Sequence, residues 1–368
     1  MKTVILTMTS GEGHNSIAKV LSAQFAKMDI QSEIVDIFRN DGWEYQFNKL
    51  GYLWACRFFP KTYDYFWKAL KFRNSNKRYS GIAQKEVEKI ADDVFERVRR
   101  MKFDFLVAVH PYCAILCDLW KRQGKIADKK AFALLTDILP HPLWESAICC
   151  DYVLTPTTHA FSQLADKGFT PQQMIACGFP VAEKFLQRPE KSQVREQLGL
   201  KDKFTVLVAS GGFGIGQNSK VVKRLTDSDV QILCVNGKNK REFIKTQKMQ
   251  KKYRQTDIVN YGFVDNMDQL MSCADVIVSR AGAATLFEAM SKQLPIIIRE
   301  KTIINERENA EILQSENAVI KLEKLSDVKN AVDKLKQTDV ARQMQRACLK
   351  VTQGLCAKDV CDKIVSLL

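Results

Sequence analysis

ADVIVSRAGAATLFEAM occupies residues 274–290. ADVIVS reads as a buried strand, and the chain then places Ala281, Gly282 and Ala283 before opening a helix. SKQLPIII follows and reads as the end of that helix and another strand. Working outward, the same rhythm fills the second half, with strand-like runs at 204–210, 230–236, 257–263, 274–280 and 294–299. The first half repeats it at 3–8, 32–37, 104–110, 132–137 and 152–156, with helical patterns at 15–28 and 81–101. Short β-rich runs alternating with amphipathic helices predict a parallel sheet covered on both faces. Two such halves predict an α/β protein of two doubly wound, Rossmann-like domains facing across a cleft. Two prolines and a charge run at 178–194 mark the boundary between them. The expected division is 1–185, 186–350 and a C-terminal helix within 351–368 that packs back on the first domain. The tail 325–368 reads as helices without a strand.

The chain has 368 residues, enough for two cores of ordinary size. It holds 46% apolar and 27% charged residues, as soluble globular proteins do. No apolar run reaches the roughly 20 residues of a membrane span. The first residues turn polar too soon for a secretory signal and read as a strand. Eleven cysteines without a C-x-x-C pair read as buried thiols in a reducing cytosol. Four scattered histidines give no metal-ligand spacing. A formal charge of +14 calls for an anionic partner: nucleic acid, an anionic membrane or a phosphorylated substrate.

In open parallel sheets ligands bind beyond the carboxyl ends of the strands. TSGEGHNS, residues 9–16, follows the first strand and places Gly11, Gly13 and His14 at a helix mouth. It is either a plain strand–helix turn or a site with His14 as general base. It lacks the third glycine of a dinucleotide fingerprint. TDILPHPLW, 136–144, brings Asp137 and His141 to the same edge; Asp137 is a second candidate base, or a turn residue. ASGGFGIG, 209–216, places Ser210, Gly211 and Gly212 where a backbone could wrap a phosphate, though no G-K-[ST] closes it. The small residues Ala281, Gly282, Ala283 and Ala284, with Thr285, let a diphosphate lie against bare helix amides. Arg280 adds charge there. Glu288 then suits a ribose diol, and Gly262, Phe263 and Val264 offer backbone to a base edge. Asn305, Glu306 and Asn309 fall where a sugar on the diphosphate would lie. The plain alternative for 281–284 is tight helix–sheet packing.

Together SGEGH, TDILPHPLW, GFVDNMDQLMSCADVIVSRAGAATLFEAM and NERENA resemble the monogalactosyldiacylglycerol synthase and processive diacylglycerol glucosyltransferase group, itself related to the lipid II UDP-GlcNAc transferase. The resemblance runs from about residue 1 to 350 and is densest over 257–312. It implies the GT-B fold and an inverting, metal-independent hexosyl transfer from a UDP-sugar to a membrane lipid such as diacylglycerol, with no cofactor. It also implies a glycolipid-making enzyme at the cytoplasmic face of the membrane. The first domain would hold the lipid and the second the UDP-sugar. His14 matches the histidine of the family's N-terminal glycine loop, Glu288 its ribose-binding glutamate, and Asp137, His141 and Trp144 a T-D-x-x-x-H-x-x-W pattern. Gly13 and His110 join His141 and Trp144 on the acceptor side. The family usually has Pro-Gly-Gly at 281–283 and Pro-Gly-Gln-Glu at 303–306, where this chain has Ala-Gly-Ala and Ile-Ile-Asn-Glu. The second change falls where the donor sugar is read, so both sugar and acceptor stay open.

Residues 43–72 hold twelve of the chain's 34 aromatics, with Lys and Arg interleaved through 78. This composition suits a segment lying on an anionic membrane, or helices packed on the first core. The basic run 238–254 reads as a solvated helix face. No nucleic-acid module is present. The other readings are a GT-B transferase of a polyprenyl lipid, sterol or small soluble acceptor, and a non-catalytic relative that binds lipid or nucleotide.

Overall fold

The computed structural model describes residues 1–9, 12–38, 68, 82–299, 303–351 and 356–368. The aromatic and basic stretch 43–78, apart from Lys68, and Gly11 lie outside these residues. The chain forms two compact units, Met1–Pro180 with Gly354–Leu368, and Val181–Gln353. The change of unit comes before residue 185 because the following segment is tied to the second unit. Lys292 Nζ donates to the carbonyls of Lys184 and Gln187, at 3.1 and 2.5 Å. Lys184 in turn meets Asp268 at 3.0 Å.

The first unit carries a parallel sheet in the order β2-β1-β3-β4-β5-β6. Its strands are β1 (Lys2–Thr7), β2 (Gln31–Asp36), β3 (Phe105–Ala108), β4 (Lys130–Leu134), β5 (Tyr152–Thr155) and β6 (Met174–Ala176). Its helices are α1 (Glu12–Lys27), α2 (Ile82–Arg99), α3 (Pro111–Arg122) and α4 (Phe161–Asp166). Val4, Ile5 and Leu6 are all fully buried, because helices cover both faces of the sheet. One face carries a row of aromatics: Phe25 of α1 meets Phe105 edge to face, Phe105 meets Phe132 edge to face, and Phe132 stacks on Tyr152, with centroids 5.7, 6.1 and 5.5 Å apart. The other face builds its core from Leu106, Ala108, Trp120 and Trp144.

The second unit repeats the plan in the order β12-β11-β10-β7-β8-β9. Its strands are β7 (Thr205–Ala209), β8 (Gln231–Val235), β9 (Asp257–Tyr261), β10 (Val276–Ser279), β11 (Ile296–Ile298) and β12 (Ile320–Lys321). Its helices are α5 (Lys191–Gln197), α6 (Asn218–Leu225), α7 (Lys240–Lys252), α8 (Met267–Cys273), α9 (Ala283–Ser291), α10 (Ile304–Ser315), α11 (Val328–Leu335) and α12 (Thr338–Val351). The last helix, α13 (Ala357–Ser366), belongs to the first unit and lies against α1. Among the described residues, no helix is long and apolar enough to cross a membrane.

Each sheet has one place where its strand order reverses, between β1 and β3 in the first unit and between β7 and β10 in the second. At such a point the two connections leave in opposite directions and open a crevice at the carboxyl ends of the strands. The stretch 274–290 is the β10–α9 side of the second crevice.

Candidate active site

In the first unit, three histidines follow the ends of β1, β3 and β4. His14 stands third in α1, and its Nδ1 lies 2.7 Å from Val109 O and 3.1 Å from Thr136 Oγ1. A carbonyl only accepts, so Nδ1 carries the proton and Nε2 keeps the lone pair. Burial lowers the pKa of His14, opposed by the bond to Val109 O. Nε2 is therefore unprotonated near neutral pH, as a general base requires.

His110 and His141 are held the other way round. Each precedes a proline and caps the helical turn that starts there. Tyr112 N donates to His110 Nδ1, and Leu143 N to His141 Nδ1, both at 3.1 Å. Proline at the first position has no N–H, so the next amide is the one left for the imidazole. An amide only donates, so in both rings Nε2 carries the hydrogen. The rings of His14 and His110 meet edge to face, 4.7 Å between centroids. Burial drives His110 well below the ordinary histidine range, and the neighbouring His14 and His141 add to the shift.

Gly13 faces open space: a Cβ there would meet nothing within 4 Å. Asp137 is half-buried, and its Oδ1 accepts from Ile138 N at 3.1 Å. Trp144 departs from its expected acceptor contact. It is 1% exposed within the core cluster, where it packs the loop from beneath. Thr136 escapes sequence reasoning, since its partner lies 122 residues away.

In the second unit, α9 begins at the crevice with Gly282 as its N-cap and no side chain capping it. The amides of Ala283, Ala284 and Thr285 have no intrahelical acceptor, and the helix dipole points its positive end out of the same turn. Glu288 follows five residues on, about 7.5 Å along the axis. Its carboxyl is half-buried and makes no side-chain hydrogen bond among the described residues. Burial pushes it up to about 8, against the pull of Lys184. It is a carboxyl short of donors.

The glycine loop after β7 differs from a simple phosphate cradle. Gly214 has φ +61, and a Cβ on it would lie 2.0 Å from Asn236 O. On Gly216 the Cβ would lie 2.3 Å from an Arg299 nitrogen. These two glycines exist for close packing. Gly211, at φ +69, turns toward open space. The loop is fastened to Asn236–Asn239 after β8 by Lys238 N to Gly212 O at 2.9 Å and Asn239 Nδ2 to Gly214 O at 2.8 Å. The Asn-Gly pair at 236–237 was the available turn signal for that support. Ser210 is committed to Asn218, its Oγ donating to Oδ1.

Arg280 and Glu306 also take roles other than those expected of them. Arg280 is 9% exposed and donates from Nε to Glu306 Oε2 at 3.0 Å and from Nη1 to Ile215 O at 3.1 Å. It pins the glycine loop to the start of α10, and its charge is met by Glu306. Asn309 is 1% exposed and donates to Ala281 O at 3.3 Å, which steadies the strand–helix turn. Asn305 is half-buried at the start of α10. After β9, Gly262 O accepts from Gly237 N at 3.1 Å, and Val264 is half-buried. Phe263 is 53% exposed, with Lys238 Nζ 5.3 Å from its ring centroid.

Residues 14–181 match the family model described as monogalactosyldiacylglycerol (MGDG) synthase. Residues 205–359 match that of the glycosyltransferase family 28 C-terminal domain. Along its two halves the chain is thus similar to the monogalactosyldiacylglycerol synthase group of GT-B glycosyltransferases. It is 26% identical over 362 residues to a processive diacylglycerol beta-glucosyltransferase of Bacillus cereus, covering 95% of this chain and 89% of that one. A protein of the same name from Bacillus licheniformis is 24% identical over 337 residues, covering 90% and 86%. Among solved structures, MurG of Acinetobacter baumannii is similar over 100% of both chains, with a TM-score of 0.66 and 15% identity. Anabaena Alr3699/HepE, solved with UDP and glucose, is similar over 100% of both chains with a TM-score of 0.58 and 13% identity. These structures share the fold: two parallel six-stranded sheets with interleaved helices.

Proposed function

We propose that this glycosyltransferase moves a hexose from a UDP-sugar to the hydroxyl of a membrane lipid, diacylglycerol in the first place, with inversion at the anomeric carbon and without a metal ion. The curated relatives' names support the acceptor, and the UDP-bound neighbour supports the donor. The lipid hydroxyl gives its proton to His14 Nε2 while its oxygen attacks the anomeric carbon. The bond from that carbon to the diphosphate breaks, and UDP leaves with the electron pair. The open amides of residues 283–285 meet the charge that develops on the leaving group. Because Arg280 is already paired with Glu306, those amides are the main source of that stabilisation. Asp137 is the alternative base. A lipid acceptor supports work at the cytoplasmic face of the membrane, and the aromatic and basic composition of residues 43–78 suits contact with anionic headgroups.

The observation that carries the donor reading is Glu288. A carboxyl held near 8 and lacking donors, a turn and a half inside an uncapped helix start, suits a ribose diol. Two hydroxyls donating to it favour its ionised form, so its pKa falls on binding. UDP should therefore bind with release of close to one proton near pH 7, and its affinity should rise as pH climbs toward 8. Calorimetry in buffers of different ionisation enthalpy checks this. Glu288→Gln should abolish the proton release and weaken UDP binding roughly tenfold or more. An unchanged affinity and proton count in that variant would remove Glu288 from the donor site.

A further inference from the structure

The three histidines that follow β1, β3 and β4 are each locked in one tautomer by the backbone, and they are not locked alike. His14 presents a lone pair at Nε2, whereas His110, whose ring packs against it with centroids 4.7 Å apart, presents an N–H. The two are also joined through the chain, because the carbonyl that fixes His14 belongs to Val109, the residue before His110. His110 sits half-buried across the β1–β3 crevice from His14. Its Nδ1 is spent on Tyr112 N, and Nε2, on the far side of the ring, makes no hydrogen bond among the described residues.

We infer that His110 is an acceptor-binding residue that selects, through its Nε2–H, an alcohol carrying a second oxygen acceptor close to the reacting hydroxyl. A base alone would accept any hydroxyl. A fixed donor beside it adds a second point of attachment, which turns the alcohol so that its O–H faces His14. The donor cannot bond to the reacting oxygen without lowering its nucleophilicity, so it needs a different oxygen. In a diacylglycerol the neighbouring ester carbonyl is that oxygen; a dialkylglycerol ether has only the poorer ether oxygen. Burial and the two neighbouring imidazoles keep His110 uncharged, so the N–H remains a neutral donor. This inference rests on the lipid-acceptor reading above and adds to it the group that recognises the ester.

Two substitutions separate the two nitrogens. Asn at this position keeps an oxygen where Nδ1 caps α3 and loses the distal donor. Gln carries an amide N–H near the position of Nε2 and caps poorly. The experiment compares full-length wild type, His110→Asn and His110→Gln on 1,2-diacylglycerol and the matched 1,2-dialkylglycerol in mixed micelles, with UDP-glucose and with UDP-galactose as donor. It reads kcat and KM for each lipid and a melting curve for each protein. Wild type should favour the ester about tenfold in kcat/KM, the scale of one lost hydrogen bond in a dry site. His110→Asn should melt close to wild type and lose most of that preference, chiefly by slowing the ester, and His110→Gln should recover part of it. Equal use of both lipids by wild type, or an unchanged preference in His110→Asn, overturns the inference and leaves the lipid-acceptor reading standing. Transfer to neither lipid by wild type overturns that reading, and this inference with it.

Discussion

In the proposed reaction His14 suits the role of base because its other nitrogen is already occupied. With Nδ1–H bound to Val109 O, protonation of Nε2 during the reaction produces an imidazolium whose opposite face is stabilised by a carbonyl, with Thr136 beside it. The arrangement holds the ring still and fixes which nitrogen faces solvent. Replacing His14 with Ala should lower kcat by about 10² or more, with the KM for UDP-sugar little changed. Steady-state rates at saturating lipid check this, and near-normal turnover would move the role to Asp137. Glu288 illustrates a cost of function at a single residue. Its folded pKa, about 8, lies above its ordinary 4.5, so above pH 4.5 the unfolded chain is ionised while the folded one retains the proton. Stability is lost as pH rises through that interval, and the loss levels off above pH 8. The same shortage of donors is what fits the residue for a diol.

At the scale of elements, the two crevices are built from turns rather than from long side chains. The glycine loop, the β8–α7 turn and the start of α10 interlock through Gly214, Asn239, Arg280 and Glu306. Gly214→Ala would force a Cβ against Asn236 O in a left-handed backbone, and should cost about 3 kcal/mol and several degrees of melting temperature. Gly211→Ala has the same backbone sign but open space before it, and should cost roughly 1–2 kcal/mol while impairing UDP binding more than its stability loss explains. Paired melts and UDP titrations of the two variants distinguish packing from ligand approach. If both lost stability equally and Gly211→Ala bound UDP normally, the loop would be structural throughout. Ten of the described strands were legible in the sequence because each lies within a longer β-rich run. Strands β6 and β12, of three and two residues, were not, since so short a run at a sheet edge carries no pattern. The candidate site was legible where its residues fall just past a strand end, as for His14, His141, Glu288 and the small residues at 281–284. It was illegible where tertiary contact reassigns a polar residue, as for Glu306, committed to Arg280, and Trp144, committed to the core.

For the whole molecule, one chain joins two units, each with one crevice at a strand-order reversal. The first crevice presents imidazoles, and the second presents bare amides and a carboxyl. In the proposed reaction, proton removal falls to the first set and stabilisation of an anionic leaving group to the second. The net charge of +14 favours anionic partners for the molecule as a whole, the donor diphosphate and a charged lipid surface among them. The most direct measurement is UDP release by the full-length protein from UDP-glucose and UDP-galactose, with and without diacylglycerol in anionic micelles, the lipid product being identified by mass and by its anomeric proton coupling. The account predicts UDP release that depends on the lipid, together with a β-linked hexosyl-diacylglycerol. UDP release indifferent to lipid, or an α-linked product, would contradict it.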